Sequence, residues 1–409
     1  CSFVPISIDY TLKLVPISVK IEIQCPLDTE IPEYDYNNWS IDDANFQQCN
    51  FDFIDFFNNF MLKNLPCLIK NVTDNWKCAR QWVKGDQINY DSLIEEYGDL
   101  SAPVADCKNI QFNSQCKSDM KVYQYIEYLQ NATDNRLLYL KDWHLRRSKP
   151  GDKFYEVPKY FLMDWLNEYA MDKKEDDFMF VYIGPKGSWT PLHEDVYCSY
   201  SWSVNVVGRK KWILFPPGEE DKLKDRFGNL PLVFEPENFQ NIKYFEITQE
   251  AGDALFVPSG WHHQVMNEAQ TISVNHNWIN ACNIEIVWKA LEKCLLIVEH
   301  QIEECKDTPE FPAECQLILK SHFGMDFESF VTFLCYIAKK RLSQLQGNEQ
   351  VDFNQYSLGI NIIKFDLKNI LKVMNSIYVH PIFLNTDILS SKEDDFIQVR
   401  KELRAVFSL

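Results

Sequence analysis

Two residues of metal-binding type stand two positions apart in the segment T-P-L-H-E-D-V-Y, namely His193 and Asp195. Side chains alternate between the two faces of a β-strand, so this spacing would place both on one face and Glu194 on the other. The triplet alone is weak evidence, because a hydrogen-bonded strand histidine followed by a turn-forming aspartate has the same pattern. A zinc protease is excluded, because its H-E-x-x-H motif requires a second histidine where Tyr197 stands.

A second histidine-bearing segment, P-S-G-W-H-H-Q-V, follows the predicted strand at residues 254–257. If this segment lies antiparallel to the first, it can bring a third ligand beside His193 and Asp195. Two histidines and one carboxylate on one face, with the opposite face open, form the arrangement used by non-haem iron(II) oxygenases. His262 and His263 both remain candidates for the third ligand.

Polar side chains alternate with apolar ones along two further segments, as expected for a barrel wall that lines a wet pocket. The polar members are Ser201, Ser203 and Asn205 in S-W-S-V-N-V-V, and Thr271, Ser273, Asn275 and Asn277 in T-I-S-V-N-H-N-W. His276 lies on the apolar face, so we expect a hydrogen-bonded residue that points outward. The basic run 209–211 that follows the first segment would, without other information, be a solvated turn.

The surrounding pattern predicts how these residues are positioned. Short apolar runs bounded by turn residues between 177 and 280 favour a sandwich or barrel over βαβ units. Apolar residues spaced by three and four predict helices after that point. The predicted helices are 284–302, 314–342, 361–377 and 394–407, with two earlier ones at 51–62 and 160–168. The predicted organisation is a poorly defined segment 1–30, an α+β lobe 31–150, a barrel 151–280 and a helical region 281–409.

Composition restricts the class of partner. The chain has 41 basic and 59 acidic residues, a formal charge of -18, so its average surface repels nucleic acid and anionic lipid. No run approaches the ~20 apolar residues that span a bilayer, and the opening segment lacks the apolar centre of a signal sequence. The 13 cysteines include no C-x-x-C pair, which favours a reducing, cytoplasmic location over a disulfide framework.

Four segments together resemble the JmjC oxygenase family: G-S-W-T-P-L-H-E-D, S-W-S-V-N-V-V-G-R-K-K-W-I-L-F-P-P-G, E-I-T-Q-E-A-G-D-A-L-F-V-P-S-G-W-H-H-Q-V and T-I-S-V-N-H-N-W. The similarity extends over about residues 64–342. It implies an α+β fold built on a double-stranded β-helix, the cupin or jelly-roll barrel, with an N-terminal α+β elaboration and a C-terminal helical region. It also implies iron(II), 2-oxoglutarate as co-substrate, and dioxygen.

The same resemblance assigns individual residues. The family's distal-ligand pattern, laid on this sequence from Pro258, ends on His263 rather than His262, so the implied iron ligands are His193, Asp195 and His263.

For 2-oxoglutarate the implied contacts are Lys210, which matches the family's lysine for the far carboxylate, and the hydroxyls of Tyr139 and Thr190. Asn275 matches a further contact. The chain departs from some family members in having Ser203 where they carry asparagine, so the hydrogen bonds around the co-substrate would differ in detail.

Within the family, the resemblance is strongest to lysyl hydroxylases of the eukaryotic translation termination factor, which implies a protein substrate and oxidation of a lysine carbon in its N-I-K-S loop. An N-methyl-lysine demethylase is the alternative enzyme. A catalytically silent barrel used for interaction is the alternative of another class, and the presence of all three ligands and Lys210 disfavours it. The C-terminal helices could support a homodimer.

Overall fold

The computed structural model describes residues 21–37, 39–40, 45–46, 52–112, 114–131, 135–347 and 356–408. Most of the opening segment, residues 1–20, therefore lies outside the described residues. The proposed boundaries at 31, 151 and 281 stay predictions.

The described strands are numbered β1 to β17 in chain order. They are β1 Ile21–Ile23, β2 Asn45–Phe46, β3 Cys67–Ile69, β4 Val83–Lys84, β5 Gln87–Ile88, β6 Ser101–Gln111, β7 Ser114–Lys121, β8 Leu138–Trp143, β9 Met179–Gly184, β10 Trp189–His193, β11 Tyr200–Val207, β12 Lys210–Phe215, β13 Phe245–Gln249, β14 Ala254–Val257, β15 His262–Asn267, β16 Thr271–Trp278 and β17 Tyr356–Leu358.

The described α-helices are numbered α1 to α12. They are α1 Phe53–Phe56, α2 Lys77–Gln81, α3 Tyr90–Tyr97, α4 Val122–Asn131, α5 Leu145–Ser148, α6 Trp165–Lys173, α7 Ile284–Gln301, α8 Phe311–Phe323, α9 Phe327–Leu345, α10 Ile360–Tyr378, α11 Pro381–Leu384 and α12 Glu393–Val406. None of these helices combines the length and apolar character that a bilayer crossing requires.

Strands β9 to β16 form a jelly roll. One sheet of nine strands has the order β2-β3-β14-β11-β16-β9-β8-β6-β7, and a second sheet of four has the order β10-β15-β12-β13. Consecutive strands cross between the two sheets except at β12–β13, which form an antiparallel pair. The predicted double-stranded β-helix, with helices before and after it, is confirmed.

The outer face of the large sheet is buried under aromatic residues. Trp202 of β11 stacks on Phe161 with ring centroids 5.3 Å apart, and Phe161 also contacts Trp278 of β16. His276 lies on this outer face as predicted, but it is buried rather than at the surface. Its ring stacks on Trp202 at 4.0 Å, and its Nε2 is 2.6 Å from the Tyr155 hydroxyl. The apolar positions of these strands therefore hold the barrel against its covering layer.

Three predicted helices differ from the structure. The run 51–62 begins as α1 and continues as a π-helix, Phe57–Met61. In the run 160–168 the α-helix starts only at Trp165, after a 3₁₀ turn. The predicted helix 314–342 is two helices, α8 and α9, because Gly324 ends α8 with a left-handed φ of 94°.

Gly324 also brings the C-terminal helices against the barrel, because its Cα faces the ring of Tyr197. A Cβ at this position would lie 2.6 Å from Cε1 of Tyr197. The adjoining helices are tied by a buried ion network, in which Arg341 of α9 pairs with Glu168 of α6 at 2.8 Å and with Asp366 of α10 at 2.7 Å. The helical region is thus fixed to the loop that follows β10.

We predict that Gly324→Ala lowers the free energy of unfolding more than Gly347→Ala does. Both glycines have positive φ, but nothing lies within 4 Å of a Cβ at residue 347, so the control carries only the backbone strain. Crowding against Tyr197 should add about 2 kcal/mol. Urea titration measures both variants, and equal losses would show that the Tyr197 ring moves aside freely.

Candidate active site

Three potential metal ligands converge where β10 lies antiparallel to β15. His193 is directly opposite His263, and their ring centroids are 4.3 Å apart. Asp195 lies beyond the end of β10, but its backbone is still extended, with φ −66° and ψ 149°. The alternation of the strand therefore continues past its last hydrogen bond. One ligand atom from each of the three residues lies within 4.8 Å of those of the other two.

Backbone carbonyls orient both imidazoles. Nδ1 of His193 lies 2.8 Å from the carbonyl oxygen of Pro191 and 3.1 Å from that of His263. Nδ1 of His263 lies 3.0 Å from the carbonyl oxygen of Trp261. A proton on each Nδ1 satisfies these contacts and leaves both Nε2 lone pairs free for a metal. Burial, with the neighbouring His263, lowers the pKa of His193 to about 4, so the neutral ligand form prevails at pH 7.

The carboxylate of Asp195 is held in the same cluster. The Ser201 hydroxyl of β11 donates to Oδ2 of Asp195 at 2.6 Å, and the same oxygen lies 3.9 Å from Nε2 of His263. Metal-binding carboxylates are commonly oriented by a hydrogen bond from a residue that does not itself contact the metal. The donor set of two imidazoles and one carboxylate fits a divalent first-row metal such as iron(II).

His262 does not join this cluster. It is the first residue of β15, opposite Phe215 of β12, and its half-buried side chain lies on the other face from His263. Glu194 likewise lies outside the cluster formed by His193, Asp195 and His263. Its side chain is hydrogen-bonded to Cys198. Strand alternation therefore brings only one of the two adjacent histidines to His193 and Asp195.

Lys210 is a buried ammonium on the inner wall of the barrel. Its side chain is 2% exposed, donates to the Ser273 hydroxyl at 2.6 Å, and has the ring of Tyr182 5.7 Å away. In the described part of the chain no carboxylate pairs with it, and burial lowers its pKa to about 7. A buried charge without a counter-ion is unfavourable, so the arrangement fits an anionic ligand such as the far carboxylate of 2-oxoglutarate.

Two of the other predicted co-substrate contacts, Asn275 and Tyr139, are linked to this lysine through Ser273 and Tyr182. Asn275 donates to the Ser273 hydroxyl at 3.0 Å, which joins it to Lys210. Tyr139 is buried, hydrogen-bonded to the side chain of Asn267, and lies edge-on to Tyr182. Thr190 is opposite Val265 in the β10–β15 pair.

The sequence predicted that Ser273 shares the polar face of its strand with Asn275, but not that its hydroxyl accepts from Lys210. The role of Tyr182 was not predicted. The alternation of Phe180 and Tyr182 in β9 was the available signal, since it puts their aromatic rings on one face.

Comparison with known proteins agrees with this geometry. A family model described as a cupin-like domain matches residues 54–284. The protein of Homo sapiens named 2-oxoglutarate and iron-dependent oxygenase JMJD4 is 42% identical over 373 residues, which cover 86% of this chain and 89% of that protein. Its namesake in Gallus gallus is also 42% identical, over 83% of this chain and 87% of that protein.

This chain belongs to the JmjC family of iron- and 2-oxoglutarate-dependent oxygenases. Another JmjC relative, the arginine-specific demethylase JMJ20 of Arabidopsis thaliana, is 36% identical over 78% of this chain and 76% of that protein. The enzyme thus depends on iron and uses 2-oxoglutarate as co-substrate.

The described cysteines are all free thiols.

We predict that the two adjacent histidines of this JmjC enzyme differ in metal binding. His263→Ala should lower Co(II) affinity at least about 100-fold, because a ligand with a dedicated carbonyl partner is lost. His262→Ala should leave the affinity within about twofold, since its side chain faces away. Anaerobic titration followed by Co(II) absorption measures both, and a larger loss for His262→Ala would reverse the ligand assignment.

The buried Lys210 should also make the free energy of unfolding depend on pH. Its pKa of about 7 lies below the ordinary value of 10.5, so between those values the unfolded chain binds more protons than the folded chain. The free energy of unfolding without co-substrate should therefore gain a contribution from Lys210 as pH rises from 7 to 10. Lys210→Met should remove that contribution and, at pH 7, stabilise the enzyme by about 1 kcal/mol.

The same variant should lose the rise in melting temperature that 2-oxoglutarate gives to the wild type, because the anion has lost its cation. Thermal unfolding with and without 2-oxoglutarate, across pH, measures both effects. A Lys210→Met enzyme that is still stabilised by 2-oxoglutarate would contradict the assignment.

Proposed function

We propose that this enzyme is a protein hydroxylase that oxidises a lysine side-chain carbon of the translation termination factor. In this proposal His193, Asp195 and His263 hold the iron. The observation that carries it is the position of the buried ammonium of Lys210, which has no carboxylate partner among the described residues, in the same barrel as these three ligands. The barrel then meets both requirements of the chemistry, a metal with open positions and a cation for the keto acid.

When bound, iron(II) and 2-oxoglutarate use dioxygen to insert one oxygen atom into an unactivated C–H bond, with succinate and carbon dioxide as co-products. The side chains of the enzyme hold and orient the participants. Ser201 fixes the carboxylate of Asp195, and Ser273 and Asn275 extend the hydrogen bonds of Lys210. Tyr139 and Thr190 supply hydroxyls for the far carboxylate. The buried strands exclude water, which limits side reactions.

The four JmjC-like segments support the choice of substrate, since they resemble those of the termination-factor lysyl hydroxylases. The acidic balance of the chain, with a formal charge of -18, favours association with a basic segment such as one containing the target lysine. A homodimer through the C-terminal helices and a cytoplasmic location stay predictions.

N-methyl demethylation is the second candidate function. The Arabidopsis thaliana relative named an arginine-specific demethylase covers more than three quarters of this chain, and oxidation of an N-methyl carbon uses the same donor set. Methyl-arginine and methyl-lysine peptides therefore belong in the test beside the termination-factor peptide. A silent barrel is disfavoured because the three ligand residues and Lys210 are all present.

The deciding experiment incubates the full chain with iron(II), ascorbate and 2-oxoglutarate, together with each of these peptides. Mass spectrometry should show one added oxygen atom on the lysine of the N-I-K-S peptide, and His193→Ala should abolish it, because the metal loses a ligand. A peptide that instead loses a methyl group would establish the demethylase alternative. Oxygen incorporation that survives His193→Ala would refute the mechanism.

A further inference from the structure

An additional charged pair lies on the inner wall of the barrel, beside the co-substrate residues. The pairing of β6 with β7 and β8 puts Ala105 opposite both Lys117 and Tyr139. Residues opposite each other across a sheet point to the same face, so the side chain of Lys117 is on the face that carries Tyr139. Its ammonium contacts Oδ2 of Asp142.

Asp142 has an unusual backbone for a strand residue. Its φ is 59°, and the register between β8 and β9 shifts between Leu140 and Trp143. A non-glycine residue in the left-handed region carries strain that the surrounding structure must hold, and such residues concentrate at functional sites. The shift presents the Asp142 carboxylate to Tyr182, whose hydroxyl donates to Oδ1 at 2.6 Å. The same Tyr182 ring lies near the ammonium of Lys210.

The cation that now contacts Asp142 is replaceable. The Lys117 side chain is 47% exposed and that of Asp142 is 32% exposed, and an ion pair this accessible contributes only about 0–1 kcal/mol. Burial raises the pKa of Asp142, but the Lys117 ammonium and the hydrogen bonds from Lys117 and Tyr182 outweigh it and hold the pKa below its usual value. Asp142 is therefore a carboxylate that solvent and another cation can reach.

Two neighbouring charged groups, Asp195 and Lys141, already have hydrogen-bond partners. Asp195 accepts from Ser201 and belongs to the metal ligand set. The buried ammonium of Lys141 donates to Oε1 of Gln115 at 2.9 Å. Asp142 is thus a carboxylate of this wall whose present cation is about half exposed.

We propose that Asp142 binds the ε-ammonium of the substrate lysine, which displaces the Lys117 ammonium. This inference deepens the proposed function and rests on it for the choice of lysine. With the ammonium held at Asp142 and the peptide backbone outside the barrel, both ends of the side chain are fixed. That restricts which methylene reaches the metal, and Tyr182 links this recognition to the co-substrate lysine.

The test measures binding rather than turnover. The full chain is loaded with Mn(II) and N-oxalylglycine, an unreactive analogue of 2-oxoglutarate, and titrated with two fluorescent N-I-K-S peptides, one with lysine and one with norleucine at the target position. Wild type should bind the lysine peptide about tenfold more tightly, the usual effect of one charge-assisted hydrogen bond. Asp142→Asn should bind both alike, with unchanged affinity for N-oxalylglycine. Asp119→Asn changes an exposed carboxylate of β7, two residues from Lys117, and should retain the wild-type preference.

Lys117→Met provides an independent arm, because it leaves Asp142 intact and removes the competing cation. It should increase the preference for the lysine peptide about twofold or more. The inference is overturned if the wild type does not distinguish the two peptides or if Asp142→Asn keeps the preference for the lysine peptide. It is also overturned if Asp142→Asn loses affinity for N-oxalylglycine, or if Lys117→Met loses the preference. Preferential binding without oxidation of the lysine peptide would instead retain Asp142 as a lysine-binding residue and refute the proposed function.

Discussion

The antiparallel pairing of β10 with β15 sets His193 opposite His263, and the rest of the site depends on that register. A slip of one residue would turn His262 inward and His263 out, because side chains alternate along a strand. The register is held by the buried faces of the two strands and by one cross-strand contact, in which the carbonyl oxygen of His263 accepts from Nδ1 of His193. Within each strand, the carbonyl oxygens of Pro191 and Trp261 accept from Nδ1 of His193 and of His263, so that Nε2 of each ring stays free for the metal.

Charge on the inner wall is the second organising feature. Two lysines, Lys141 and Lys210, are buried there, and burial lowers the pKa of both. Neither has a close carboxylate partner among the described residues, although Asp142 adjoins Lys141. In the proposed function, the far carboxylate of the co-substrate supplies a negative charge beside Lys210. In the proposed recognition of the substrate, Asp142 offers the opposite charge to the substrate ammonium.

Several parts of this arrangement could be predicted from the sequence. Strand alternation indicated that His193 and Asp195 share a face, and short runs bounded by turns indicated a barrel. The choice of His263 over His262 came from resemblance, since both fit the spacing. Helix period located α7, α10 and α12, but the break at Gly324 was missed because the apolar period continues across it.

Contacts between distant strands could not be predicted. Ser201 with Asp195, Ser273 with Lys210, and Tyr182 with Asp142 each depend on which residues become neighbours when strands pair, and local pattern contains no information on that register. The left-handed backbone of Asp142 is likewise imposed by the shift between β8 and β9, whereas its sequence context, L-Y-L-K-D-W, is typical of a regular strand.

Anomalous diffraction from crystals grown without oxygen, with Mn(II) and N-oxalylglycine, tests the central claim most directly. The account predicts one strong manganese peak within coordinating distance of Nε2 of His193, an Asp195 carboxylate oxygen and Nε2 of His263, with the analogue extending from it to Lys210. A peak on the opposite face, at His262 and Glu194, or an analogue that does not reach Lys210, would contradict it.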